Sequence, residues 1–167
     1  MKNLILTTLF ILAGLVAIQA QKYGHVNSSE LILALPEVKT ADATLEAYQE
    51  ELFAKGEQMV KEFETGYQAY VAKANSGEIS QLQMQQEEGA LSQQQTEIQQ
   101  YEIEVQQKLA VKKQELYQPI LNKVQTAVEA LGKEQGYTMI FDTSTGGIIS
   151  MQSGDDLMPV LKTKLGL

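Results

Sequence analysis

Apolar side chains recur at Leu45, Tyr48, Leu52, Met59, Phe63, Tyr67, Tyr70 and Ala74, and again at Leu91, Ile98, Tyr101, Val105, Leu109, Leu116, Ile120, Val124, Ala127 and Leu131. Steps of three, four and seven place each set on one narrow stripe of a helix, the seam of a coiled coil and not the broad face of a globular core. Between the two sets lies Asn75-Ser76-Gly77, a turn signal. The stretch from about Val38 to Gln135 therefore predicts one long antiparallel helical hairpin. Its first arm ends at Ala74 after about 37 residues, roughly 55 Å at 1.5 Å per residue. The second starts around Gly77 to Ser80 and is longer, so its excess continues past the base of the hairpin.

The flanks have other periods. Lys22 to Asn27 alternates like a short strand, and Asn27-Ser28-Ser29 caps a short helix through Leu31, Ile32, Ala34 and Leu35 that Pro36 ends. Gly132 and Gly136 close the second arm, and Tyr137 to Phe141 is an apolar strand. A turn through Gly146-Gly147 leads to a second strand, Ile148 to Met151, expected to pair with it as a hairpin. Ser153 to Asp156 are expected to cap a last helix with Pro159 in its first turn. Strands at both ends of the hairpin should meet in one sheet, giving a mostly α chain with a small β body.

Three features modify this outline. Met1 to Ala20 has one lysine, an apolar run and a small residue before Gln21-Lys22, the layout of a cleaved secretory signal peptide. Gly56 and Gly66 interrupt the first arm as flexing points, and the glutamine-rich start of the second arm thins its stripe to Leu82, Met84, Leu91 and Ile98, so the tip should pack weakly. Pro119 removes a helical hydrogen bond and is expected as a hinge where arm joins body. The chain then divides into a signal at 1–20, a body at 21–37 and 119–167, and a hairpin at 38–118 with its tip near 75–80.

Charge and chemistry exclude more than they suggest. The chain has 13 basic and 21 acidic side chains, net −8, and contains no arginine. Without the first twenty residues, which hold only Lys2, it carries −9. A nucleic-acid surface needs a cationic footprint, which is missing. No cysteine is present, His25 is the single histidine, and no phosphate loop, nucleophile motif or ligand cluster appears, so no enzyme, cofactor or metal is expected. Acidic pairs such as Glu50-Glu51 and Glu87-Glu88 read as solvated helix faces, and Asp155-Asp156 as negative charge at a helix N-terminus.

The order of an export signal, HVNSSELILALPEV, a long hairpin, and YQPILNKVQTAVEALGKEQGYTMIFDTSTGGIISMQSGDDLMPVLKTKL resembles the Skp/OmpH family of periplasmic chaperones. The resemblance spans the mature chain and is most specific from Gln118 to Ile140. It implies a homotrimer in which strands of three subunits form a body and three hairpins enclose a cavity for unfolded outer-membrane proteins, held without ATP. In that frame Tyr48, Phe53, Met59, Phe63, Tyr67, Tyr70 and Met84 are the candidates for client contact, with Phe53 favoured because it lies off the stripe. Val26, Tyr137, Ile140, Phe141, Ile148 and Ile149 are the candidates for the trimer body. The lipopolysaccharide site of Lys and Arg residues proposed for the basic, best-known member is not carried over to an acidic chain without arginine. Three such chains would carry −27, so binding of acidic clients should hold or strengthen with added salt. The competing expectation is an exported coiled-coil structural or adaptor protein of the envelope.

Overall fold

The computed structural model describes residues 21–148 and 154–167. The expected signal peptide lies outside them. The elements follow in the order β1 (Tyr23–Val26), α1 (Ser28–Ala34), α2 (Pro36–Ser76), α3 (Gln81–Gln135), β2 (Met139–Asp142), β3 (Asp155–Asp156) and α4 (Met158–Leu165). Two compact units emerge, one of residues up to 33 together with 124–167, the other of 34–123. Helix α3 contributes to both.

In the first unit β1 lies between β2 and β3 and runs parallel to each, pairing Tyr23 to Val26 with Met139 to Asp142, and Gly24 and His25 with Asp155 and Asp156. Parallel neighbours need a long crossover, and the whole of α1, α2 and α3 lies between β1 and β2. β2 thus pairs with β1, so strands from the two ends of the hairpin meet in one sheet as expected; of the second expected strand, Ile148 belongs to no strand. The rest of that expected strand, Ile149 to Met151, lies outside the described residues. Asp155-Asp156, expected at the N-terminus of the last helix, forms β3 just ahead of it. Helix α4 has Leu157 at its N-cap with no side-chain cap bond, while Asp156 accepts from the N–H of Met158 at 2.9 Å.

The faces of β1 follow its alternation, with Gly24 and Val26 buried and Tyr23 and His25 half-buried. Val26, Leu31, Val124, Ala127, Leu131, Leu157 and Leu161 form the buried apolar set of this unit. Gly24 has no room for a side chain, since a Cβ there would lie 2.7 Å from Leu157 Cδ1 and 3.2 Å from Tyr137 Cε1. At the other end of β1 the Asp142 carboxylate gathers three donors: the N–H and hydroxyl of Ser28, at 3.1 and 2.5 Å, and the N–H of Ser144 at 2.9 Å. Burial alone would raise its pKa, but these hydrogen bonds outweigh it and hold the carboxyl below its usual range. The clamp ties the end of β2 to the start of α1, whose cap is Asn27, accepting from the N–H of Glu30 at 3.1 Å.

The second unit is the antiparallel hairpin. Pro36 stops α1, lacking an N–H to donate, and opens α2 at a position where none is needed. Gly77 ends α2 in the left-handed region at φ 72, and Gly136 does the same after α3 at φ 70, where the N–H of Tyr137 returns to the carbonyl of Gly132 at 2.9 Å. Helix α2, with 41 residues, exceeds the expected 38–74 slightly at both ends, while α3, with 55, starts just after the expected 77–80, ends at Gln135 as expected and continues unbroken through Pro119. Among the described residues no helix is long and apolar enough to cross a membrane.

Candidate functional site

The hairpin is registered by contacts that run in opposite order along its two helices. Lys123 pairs with Glu37, Tyr117 donates to Asp42, Tyr101 to the carbonyl of Leu52 at 3.0 Å, and Lys73 pairs with Glu87 at 2.9 Å. From Val38 to Ala74 the buried or half-buried positions of α2 recur at steps of three and four, with Tyr70 and Val71 both included in one turn.

Packing along the seam is uneven. Its firmest point is the cluster of Leu52, Tyr101 and Val105, flanked by Tyr48, Met59 and Leu109. The Leu52 carbonyl already accepts the helical N–H of residue 56, and the Tyr101 hydroxyl takes its second lone pair. Gly56 is the floor on which the Tyr101 ring rests: a Cβ there would meet the ring at 3.5 Å, ordinary contact. Gly66 faces Leu91 in the same way, at 3.6 Å. The two glycines expected as flexing points are thus seam positions. Between Leu52 and Tyr101, around the turn, no residue is fully buried. Polar pairs finish the tip, among them Tyr70 with Glu88, which holds the phenol above its usual pKa.

This gradient sorts the candidate client residues. Met59, Phe63, Tyr70 and Met84 are half-buried in the seam. Phe53 and Tyr67 stand out of it, 48% and 52% exposed, and Tyr67 stacks on Phe63 with ring centres 6.3 Å apart. Val60, which was not singled out in the sequence, belongs with them at 40% exposure. Phe53, Val60 and Tyr67 are seven residues apart, so they form a second row beside the seam; that offset repeat is the signal that could have found Val60.

Two grooves flank the seam. One, of about 280 Å³, runs past Phe53 and Glu57 on α2 and Glu102 and Gln106 on α3, with Gly56, Tyr101 and Val105 at its base. The other, of about 460 Å³, is lined by Tyr48, Val111, Lys108 and Lys112 with their acidic neighbours. On α3 the two linings are two residues apart, Glu102 and Gln106 against Glu104 and Lys108, which helix geometry puts roughly 200° apart. The lysines of the larger groove are matched, Lys108 to Glu104 at 2.7 Å and Lys112 to Glu115 at 3.6 Å. The hydrogen bond between Lys108 and Glu104 raises the pKa of the one and lowers that of the other. No lysine lines the smaller groove.

The body candidates are placed differently. Val26 is 3% exposed and belongs to the core of its own chain, and Ile140 packs beside Gly132. Tyr137 is covered by the Lys22 ammonium 4.0 Å from its ring centre and donates to Asp155 at 2.6 Å. Phe141 lies beside Tyr23, with ring centres 6.1 Å apart, Ile148 is half-buried, and Ile149 lies outside the described residues. Met139, on the edge strand β2, is the exposed apolar residue there, at 53%. The candidate hinge Pro119 sits inside α3 between Tyr117, bonded to Asp42, and the buried Ile120. Among the described residues no group of three or more His, Cys, Asp or Glu side chains is arranged to hold a metal ion.

Comparison with known proteins agrees with this architecture. The profile of a family described as outer membrane protein (OmpH-like) matches residues 22–165. A crystal structure from Caulobacter crescentus CB15, assigned to the OmpH-like outer membrane chaperones, superposes with a TM-score of 0.74. It is 14% identical to this chain, over 89% of this chain and 86% of its own, so the likeness is one of fold. No curated protein matches the chain in sequence.

Proposed function

The chain belongs to the OmpH-like family, and from that premise we propose that it is a periplasmic holdase chaperone, which binds unfolded outer-membrane proteins without ATP and keeps them from aggregating. The observation that carries the reading is the row Phe53, Val60 and Tyr67, large apolar side chains left 40 to 52% exposed along a hairpin whose seam is already filled by other residues. Such surface binds loosely and without sequence demands, as a holdase requires. Export by the signal at 1–20 and assembly as a homotrimer, with the hairpins around a common cavity, complete the proposal. Among the described residues β2, with Met139 exposed, is an edge of the sheet and offers backbone groups that pairing with further copies would cover.

The test is suppression of aggregation of several unrelated urea-unfolded outer-membrane barrels, with mass in solution measured by light scattering. Suppression by a trimer, weakened in Phe53→Ser, Val60→Ser and Tyr67→Ser together, is the expected result. Affinity for acidic barrels should hold or rise with added salt, because the chain itself is acidic. A monomer without holding activity would leave the second reading, an envelope scaffold, which the well-packed Leu52, Tyr101 and Val105 cluster favours.

A further inference from the structure

The smaller groove and the row beside it have a charge that the holdase reading does not use. Around α2, Glu57 and Glu64 follow Phe53 by four and eleven residues, which puts them within about 40° and 20° of it. Glu102 closes the groove from α3. The nearest lysine on this side of α2, Lys61, is turned away by about 80°. The opposite groove, by contrast, is where Lys108 and Lys112 sit with their acidic partners. Lys61 is four residues after Glu57 and three before Glu64, so this flank is apolar with a rim of three carboxylates against one ammonium, while the other carries paired charges.

Resting on the holdase reading, we propose that this flank selects client segments in which apolar side chains are interleaved with lysine or arginine. Spacing points to an extended occupant. Residues seven apart on a helix recur every 10.5 Å or so, and an unfolded chain in the polyproline II conformation presents every third side chain on one face at about 9.3 Å. A segment with apolar residues at i, i+3 and i+6 meets Phe53, Val60 and Tyr67 in turn, and its intervening cations meet Glu57, Glu64 and Glu102. Both contributions are needed, since exposed ion pairs alone contribute little.

The experiment uses the full mature chain and two peptides with leucine at every third position, one with lysine and serine between, the other with glutamate and serine. Fluorescence anisotropy should show the lysine peptide binding roughly tenfold more tightly at low salt, taking about a two- to threefold gain from each of three exposed pairs. Added salt should erode the preference. Glu57→Gln, Glu64→Gln and Glu102→Gln together should abolish the preference, bringing the lysine peptide to the affinity of the glutamate peptide. Equal binding of the two peptides by the wild type, or an undiminished preference in the triple variant, overturns the proposal and leaves the holdase reading standing. Undiminished binding after Phe53→Ser, Val60→Ser and Tyr67→Ser overturns it also, by removing the row. Failure of the wild type to suppress aggregation at all refutes the holdase reading and this proposal with it.

Discussion

Replacing Gly56 and Gly66 by alanine separates two accounts of why glycine stands in the middle of a 41-residue helix. If the helices had to approach closely at these positions, a methyl group would collide. The geometry says otherwise: Cβ atoms at 56 and 66 would lie 3.5 Å from Tyr101 and 3.6 Å from Leu91, in ordinary contact. Each substitution then gains about 1 kcal/mol of helix propensity, through the smaller backbone entropy lost on folding. The part-burial of each methyl adds a few tenths more. Gly56→Ala and Gly66→Ala together should stabilise by about 2 kcal/mol, or roughly 4–8 °C in Tm for a chain of this size. Thermal unfolding followed by far-UV circular dichroism, at one fixed protein concentration because assembly shifts Tm, measures it. An unchanged or lower Tm refutes the reasoning and means that the seam closes on bare backbone. The same variant tests the role of flexing: if the glycines serve to let the arm yield around a client, the stiffer chain should suppress aggregation less well although it is more stable.

Three further outcomes follow from the packing. Gly24→Ala should destabilise by about 1–3 kcal/mol in urea unfolding, because Leu157 Cδ1 occupies the space at 2.7 Å; combined with Leu157→Val, the two costs should be less than additive. Tyr101→Phe keeps the ring on Gly56 but loses the bond to the Leu52 carbonyl, a loss of about 1 kcal/mol in the same assay. Asp142→Asn should destabilise at neutral pH and cease to matter in acid: the folded-state pKa lies below the unfolded one, so the stabilising contribution is present above about pH 4 and disappears as pH falls through the folded value. A destabilisation by Asp142→Asn that persists undiminished at low pH would refute the clamp as the cause.

Much of the fold was legible because the long helices repeat one signal many times. An apolar seam spread over 36 residues, closed by Asn75-Ser76-Gly77, leaves little choice but a hairpin, and Pro36, Gly77 and Gly136 mark ends that the backbone obeys. The sheet was less legible. That strands from both ends of the hairpin meet in one sheet was legible, but nothing local reveals that β1, more than a hundred residues earlier, pairs with β2 in parallel and lies between β2 and β3. Pairing in parallel is decided by the crossover, which is a property of the whole chain. That Asp155-Asp156 also forms a strand was hidden for the same reason, although Asp156 does accept from the first N–H of α4 as two acidic residues before a proline-led helix suggest. The glycines of α2 were legible as weak points in propensity, but their opposite numbers, Tyr101 and Leu91, were not, because register across a hairpin depends on the turn and on both seams at once.

The exposed row shows what such patterns omit. A seven-residue repeat on an undistorted helix drifts by about 20° per step. From Phe53 to Tyr67 the drift carries the row toward the seam, so by helix geometry alone Tyr67 should be the more buried of the two. It is not: Tyr67 is 52% exposed and Phe53 48%. The difference lies in what the other helix supplies. Opposite Phe53 stand Tyr101 and Val105, whereas nearer the tip, where Leu91 and the amide of Gln94 meet Gly66, α3 is a glutamine-rich run that offers little apolar surface to cover a ring. Composition on α3 thus sets exposure on α2. Replacing Gln95, which lies seven residues before Glu102 and so on the same flank as the row, by leucine should cover part of Tyr67 and stabilise the tip. If the row holds clients, the same change should lower aggregation suppression, with the loss centred on Tyr67 and not on Phe53. Undiminished suppression by that variant would assign client contact to the region around Phe53 alone.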